Sequence, residues 1–134
     1  MRGRAVLIAL LLAATTGCAS TYMLRPSDRT PAATGKIKAK ADENGNRELK
    51  VQVKHLPPPS NLEQTMRTFV VWLRPNADVS FRNVGQLRLN DDRSGELSTT
   101  TPLRSFEVLV TAEASGTPPS PSDIVVLRGH VDAR

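Results

Sequence analysis

"KIKAKADENGNRELKVQVK", Lys36–Lys54, consists of two runs of strict alternation around a cluster of turn residues. Lys36, Lys38 and Lys40 share one face of the first run, and Ile37, Ala39 and Ala41 share the other. In the second run, Leu49, Val51 and Val53 oppose Lys50, Gln52 and Lys54. A period of two marks a half-buried β-strand, because successive side chains leave a pleated chain on opposite sides. The intervening "DENGN" predicts a hairpin. A two-residue loop at Asn44-Gly45 would set Lys40 beside Leu49 on the buried face, so the parity of the apolar set rejects it. A three-residue loop, Asn44 to Asn46, pairs Ala41 with Leu49, Ala39 with Val51 and Ile37 with Val53, with Gly45 or Asn46 left-handed. That loop is the expectation, although a five-residue loop would keep the same parity.

Outward from this hairpin the same grammar recurs. "LPPPSNLEQ" cannot extend a sheet, since its prolines remove three donors, so it is a crossing loop. "RTFVVWLR", Arg67 to Arg74, is apolar on both faces and reads as a central strand. Further strands are expected around Arg82 to Leu89, Glu96 to Thr100 and Ser105 to Ala114. The Pro-rich "SGTPPSPS" then leads into a last strand, "DIVVLRGHV". Seven strands with closely spaced turns and no helical period predict an all-β fold, an immunoglobulin-like β-sandwich. Trp72, on the third strand, would be its core aromatic together with Phe69 and Phe106.

Composition fits that class. The chain has 134 residues, only 4% of them aromatic, with eight Gly and ten Pro. One small domain is the natural capacity of this length. The net charge is +5; without Arg2 and Arg4 it is +3, mildly basic and no argument for nucleic acid. A single cysteine cannot form an internal disulfide, so burial alone must hold the domain.

That cysteine ends a recognisable segment. "MRGR" is a positive start, and "AVLIALLLAA" is an apolar run of about ten residues, well short of the roughly 20 that span a bilayer. This is the pattern of a secretory signal. "TTGC", Thr15 to Cys18, resembles the lipobox of bacterial lipoproteins, in which a small residue precedes an invariant cysteine. Gly17 and Cys18 match, while Thr15 and Thr16 stand where Leu and Ala or Ser are usual. The resemblance implies cleavage after Gly17, with covalent diacylglycerol and fatty acyl groups on Cys18 and no other cofactor. Ala19, in place of an aspartate, leans towards the outer membrane, facing the periplasm. Residues 1–17 are then a signal peptide, 18–34 a lipidated cysteine and flexible tether, and 35–134 the β-sandwich. Pro26, Pro31 and scattered charges support the tether.

From Phe69 onward the chain also resembles the extracytoplasmic domain of anti-sigma-K factors. "FVVWLRP", "NVGQLRL", "DDRSGELS", "FEVLVTAEASGTPPSPS" and a final "VVLRG" follow in that order. The cytoplasmic helical segment and transmembrane helix of those regulators have no counterpart here. The resemblance therefore implies a fold and an extracytoplasmic location, and leaves an accessory or sensor role in envelope-stress signalling as the alternative function.

Catalytic chemistry finds little to stand on. His55 and His130 end one strand and sit in another, where surface residues are the expectation and metal ligands are not. Asp42, Asn44 and Asn46 alternate as in a calcium loop, but the glycine and the closing glutamate are misplaced. Asp91 and Asp92 fall in a turn, and Glu107 and Glu113 on an outward strand face. No small-molecule substrate is evident, and the expectation is a non-enzymatic module. It would bind or scaffold an envelope protein while held at the membrane by its lipid. One surface stands out: Lys36, Lys38, Lys40, Lys50 and Lys54 would line up across the hairpin. They would guard a sheet edge or meet an anionic surface such as phospholipid head groups.

Overall fold

The structure, a computed structural model, describes residues 18–132. The signal peptide expected at 1–17 lies outside them. Eight antiparallel strands account for nearly all the regular structure: β1 Ser20–Pro26, β2 Thr34–Ala41, β3 Arg47–Lys54, β4 Thr68–Arg74, β5 Arg82–Leu87, β6 Gly95–Thr101, β7 Ser105–Glu113 and β8 Val125–Asp132. A single helical turn, α1, covers Pro59–Leu62 in the crossing loop. The strand order is β5-β4-β7-β8-β1-β2-β3-β6. The all-β sandwich is thus present, with eight strands instead of seven, and Trp72 lies on the fourth.

The extra strand is β1, and it overturns the flexible tether. Ser20–Leu24 pair with β2, while Arg25 and Pro26 pair with β8, so this strand turns the corner between the two sheets. Its inward residue Leu24 is only 4% exposed, whereas Met23 between the strands' outward positions is 67% exposed. Two glycines make room for Leu24. A Cβ on Gly35 of β2 would lie 3.2 Å from it, and one on Gly129 of β8 would lie 2.6 Å from it. The turn that follows is also fastened: the Thr30 hydroxyl donates to the Val126 carbonyl at 2.9 Å, and Ala33 is buried. Pro26 ends the strand, where its missing N–H interrupts no ladder.

The β2–β3 hairpin keeps the expected faces but not the expected register. Ala41 pairs with Arg47, Ala39 with Leu49, Ile37 with Val51 and Gly35 with Val53. The loop is therefore five residues, Asp42 to Asn46, instead of three. Asp42 decides this: its Oδ1 accepts from Asn44 N at 2.8 Å and Asn46 N at 2.9 Å, capping a wider turn from within. Gly45 takes the left-handed conformation, φ +81°, as the sequence predicts.

At the far ends of the order, β5 and β6 approach each other. Leu89 bridges Gly95, and Leu97 packs against Gly85, whose φ of +147° and lack of a side chain both suit the contact. The sandwich is thereby nearly a barrel, with few free edges. Its interior holds Ile37, Val51, Val53, Phe69, Val71, Phe106, Val108 and Val110. Val70 and Trp72, on the opposite face of β4, are buried as well, outside this main core.

Candidate functional site

Register places the residues near Cys18. Ser20 pairs with Ala39, Ala39 with Leu49, and Leu49 with Thr99, giving one continuous rung across β1, β2, β3 and β6. Cys18 is exposed and stands two residues before that rung. The reach of about 50 Å that a sixteen-residue leash would allow is replaced by about 7 Å for two residues. Beside Ala19 a shallow groove of about 410 Å³ is lined by Lys38, Lys40, Glu48 and Lys50.

The five lysines do share the outer face of this sheet, but the structure divides them. Lys38, Lys40 and Lys50 surround the groove at the amino-terminal pole. Lys36 and Lys54 line a separate groove farther along, next to the exposed Met23. The cross-strand pairs also differ from expectation, because the hairpin loop is longer by two. Lys38 faces Lys50, but Lys40 faces Glu48, Lys36 faces Gln52 and Lys54 faces Thr34. Lys50 reaches Glu96 of β6 at 3.7 Å, and Gln52 Nε2 donates to the same carboxylate at 2.9 Å. The Gln52 hydrogen bond first, and the Lys50 charge after it, hold the Glu96 carboxyl below its ordinary range. Nor does the strip guard an edge: β2 lies between β1 and β3, and β3 between β2 and β6. What remains is a solvent-facing charge pattern, net positive around the cysteine.

The other candidates stay apart. His55 follows β3, while His130 on β8 pairs with Glu107 and approaches the Ser105 hydroxyl at 3.4 Å. Among the described residues, no three His, Cys, Asp or Glu side chains gather as metal ligands would. Asp92 is tied to Ser94, whose hydroxyl and backbone N–H lower its carboxyl from the ordinary value. Glu107 pairs with Arg74, whose guanidinium also lies 4.2 Å from the Phe81 ring centre.

Glu113 contradicts its expected solvent exposure. It does point to the outer face of β7, yet it is only 4% exposed, because the Pro-rich segment after it folds back over β4 and β7. Asn83 Nδ2 donates to the Gly116 carbonyl at 2.8 Å, and Pro118 and Pro119 line the same groove as Trp72. Beneath this strap runs a connected polar chain. Trp72 Nε1 donates to Thr111 Oγ1 at 2.8 Å, and the Thr111 hydroxyl donates to Glu113. Ser122 N donates to Glu113 Oε2 at 2.9 Å. The Ser122 hydroxyl donates to the Ala112 carbonyl at 2.6 Å. Buried polar groups satisfied in this way fix one arrangement of the strap. The sequence signal was the uninterrupted apolar "FVVW": if both faces of β4 are buried, something must cover the second.

No protein-family model matches this chain, and a comparison with curated proteins finds no similar one.

Proposed function

We propose that the chain is a lipid-anchored module of the bacterial cell envelope. It is non-enzymatic, attached through Cys18 to the membrane, and binds or scaffolds another envelope component. The observation that carries this reading is the position of Cys18. It lies in a lipobox-like sequence and is exposed, only two residues ahead of a strand locked into the sheet. A thioether lipid at that sulfur would hold the amino-terminal pole against the bilayer. Lys38, Lys40 and Lys50 would then lie at head-group level, where each cationic side chain contributes up to about 1 kcal/mol on anionic lipid. Two or three acyl chains would make the attachment lasting, since one chain alone is marginal.

The test is metabolic labelling of the full chain in a bacterial host. Labelled palmitate should enter the wild-type protein, and globomycin should make a larger precursor accumulate. Cys18→Ser should abolish both effects. Uptake of palmitate by the Cys18→Ser protein would overturn the anchor.

A further inference from the structure

The pole opposite Cys18 carries a second charged feature, unrelated to the lysine face. Thr99 of β6 belongs to the rung beside Cys18, whereas Gly95, four residues back along that strand, bridges Leu89. About 14 Å of strand separates the two levels. At the Gly95 end, a cleft of about 690 Å³ opens between the crossing loop, the ends of β4 and β5, the β5–β6 turn and the start of the strap. Arg67, just ahead of β4, and Arg88 and Arg93, both in the β5–β6 turn, line it. All three are exposed, and the ion pairs found among the described residues involve none of them. Asp91 is the one acid on the lining, so the cleft walls carry a net charge of two positive units. Its floor is apolar, with Phe69 and Leu87 from the core, and Gln86 and Asn90 add amide donors.

Backbone geometry points to the same place. Among the described residues, two other than glycine have positive φ, Arg93 at 63° and His55 at 59°, and they are joined: Leu56 N, next to His55, donates to the Arg93 carbonyl at 3.3 Å. Arg93 closes the turn begun by Asn90, whose carbonyl accepts from Arg93 N at 3.0 Å. At such a left-handed position glycine or asparagine is the undemanding choice, and an arginine stores strain. Strain retained at a residue that also lines a charged cleft suggests that its side chain serves a purpose.

We infer that this cleft binds a ligand bearing two or more closely spaced oxyanions, phosphates or carboxylates, gripped by Arg67, Arg88 and Arg93. Guanidinium forks match both groups in bidentate geometry, and a concave site concentrates their field. The apolar floor accommodates the body that carries the anions. This inference does not depend on how the chain is anchored.

Isothermal titration of the full chain in detergent, in 50 mM and 300 mM NaCl, tests it. Pyrophosphate serves as the phosphate probe and citrate as the carboxylate probe. At the lower salt at least one probe should bind with one-to-one stoichiometry and Kd below about 1 mM, weakening at the higher salt. Which probe binds more tightly identifies the oxyanion. Arg67→Gln, Arg88→Gln and Arg93→Gly should each weaken binding at least tenfold. Arg25→Gln and Arg128→Gln, on the β1–β8 wall, should not. Arg93→Gly also separates binding from folding, because it should melt no lower than wild type while losing affinity. Absence of saturable binding by both probes, or undiminished binding in the three cleft variants, would overturn the inference.

Discussion

Leu24→Ala distinguishes a strand from a leash most sharply. In a tether this substitution would change stability by less than about 0.5 kcal/mol, as surface substitutions do. In the structure Leu24 is buried where β1 crosses from one sheet to the other, between Gly35 and Gly129. Large-to-small changes at buried leucines cost about 2–5 kcal/mol, the higher values falling where the surroundings cannot close the cavity. Glycines on both flanking strands have no side chains to swing inward, which places Leu24→Ala at about 3–4 kcal/mol. For a domain of this size that is a fall in Tm of roughly 10–20 °C. Urea unfolding followed by Trp72 fluorescence measures it, with the exposed Met23→Ala as control. A second arm uses Gly129→Ala, whose Cβ would lie 2.6 Å from Leu24 Cδ2. Alone it should destabilise by about 1–3 kcal/mol through overpacking. Combined with Leu24→Ala it should cost far less, so that the two effects are strongly non-additive. Leu24→Ala within 0.5 kcal/mol of wild type, or strict additivity in the pair, would show that β1 is not part of the fold.

Glu113→Ala should loosen the strap. It removes Oε2, the one oxygen that accepts from both the Thr111 hydroxyl and Ser122 N, so a loss of about 1–3 kcal/mol is expected, with faster proteolysis within residues 114–121. Unchanged proteolysis would disconnect Glu113 from the strap. For the lysine face, the relevant protein is Cys18→Ser, which would lack the proposed lipid and leave electrostatics alone. Its sedimentation with vesicles containing anionic phospholipid should fall steeply between 50 and 300 mM NaCl. Changing Lys38, Lys40 and Lys50 together to Gln should weaken it by at least tenfold, and changing Lys36 and Lys54 by less. Equal effects of the two sets would show that the amino-terminal pole has no privileged contact.

The alternation of Lys36–Lys54 revealed two strands and their buried faces, because a period of two survives any even change of loop length. That same tolerance is why register was not legible. Choosing between three and five loop residues depended on one carboxylate, Asp42, folding back onto its own turn. β1 was hidden for a different reason. "STYMLRP" has just one fully buried side chain, and the holes that Leu24 fills belong to Gly35 and Gly129, one near in sequence and the other a hundred residues away. The arginine cleft was equally invisible, since Arg67 ahead of β4 meets Arg88 and Arg93 of the β5–β6 turn only through the pairing of β4 with β5. Phe69 and Trp72 were readable as buried because an uninterrupted apolar run admits little else, and Phe106 because its strand alternates. The separate roof over Trp72 was not, since Pro-rich loops carry no periodicity.

Recruiting β1 into the sheet also changes what an anchor at Cys18 would mean. A leash decouples a domain from its membrane, leaving orientation free and any surface equally presented. Two residues cannot do that: β1 is paired with β2 from Ser20 onward, so with a lipid on Cys18 the strand direction would set the orientation of the whole barrel. Under the proposed anchoring, the hairpin turn at Asp42–Asn46 and the loops after β4 and β6 point to the bilayer. The turn after β1, the crossing loop and the β5–β6 turn point outward. The lysines beside Ala19 and the arginines of the cleft then serve opposite ends, one basic surface meeting lipid and the other facing whatever the envelope presents. A flexible insert of ten Gly and Ser residues between Ala19 and Ser20 separates these roles. It should leave pyrophosphate or citrate binding unchanged, because the cleft is built within the fold. It should also abolish the fixed orientation, read as uniform instead of pole-selective protection of exposed lysines from an amine-reactive label on vesicles. Pole-selective protection that persists with the insert would mean that the lysine face alone, without a short connection, orients the domain.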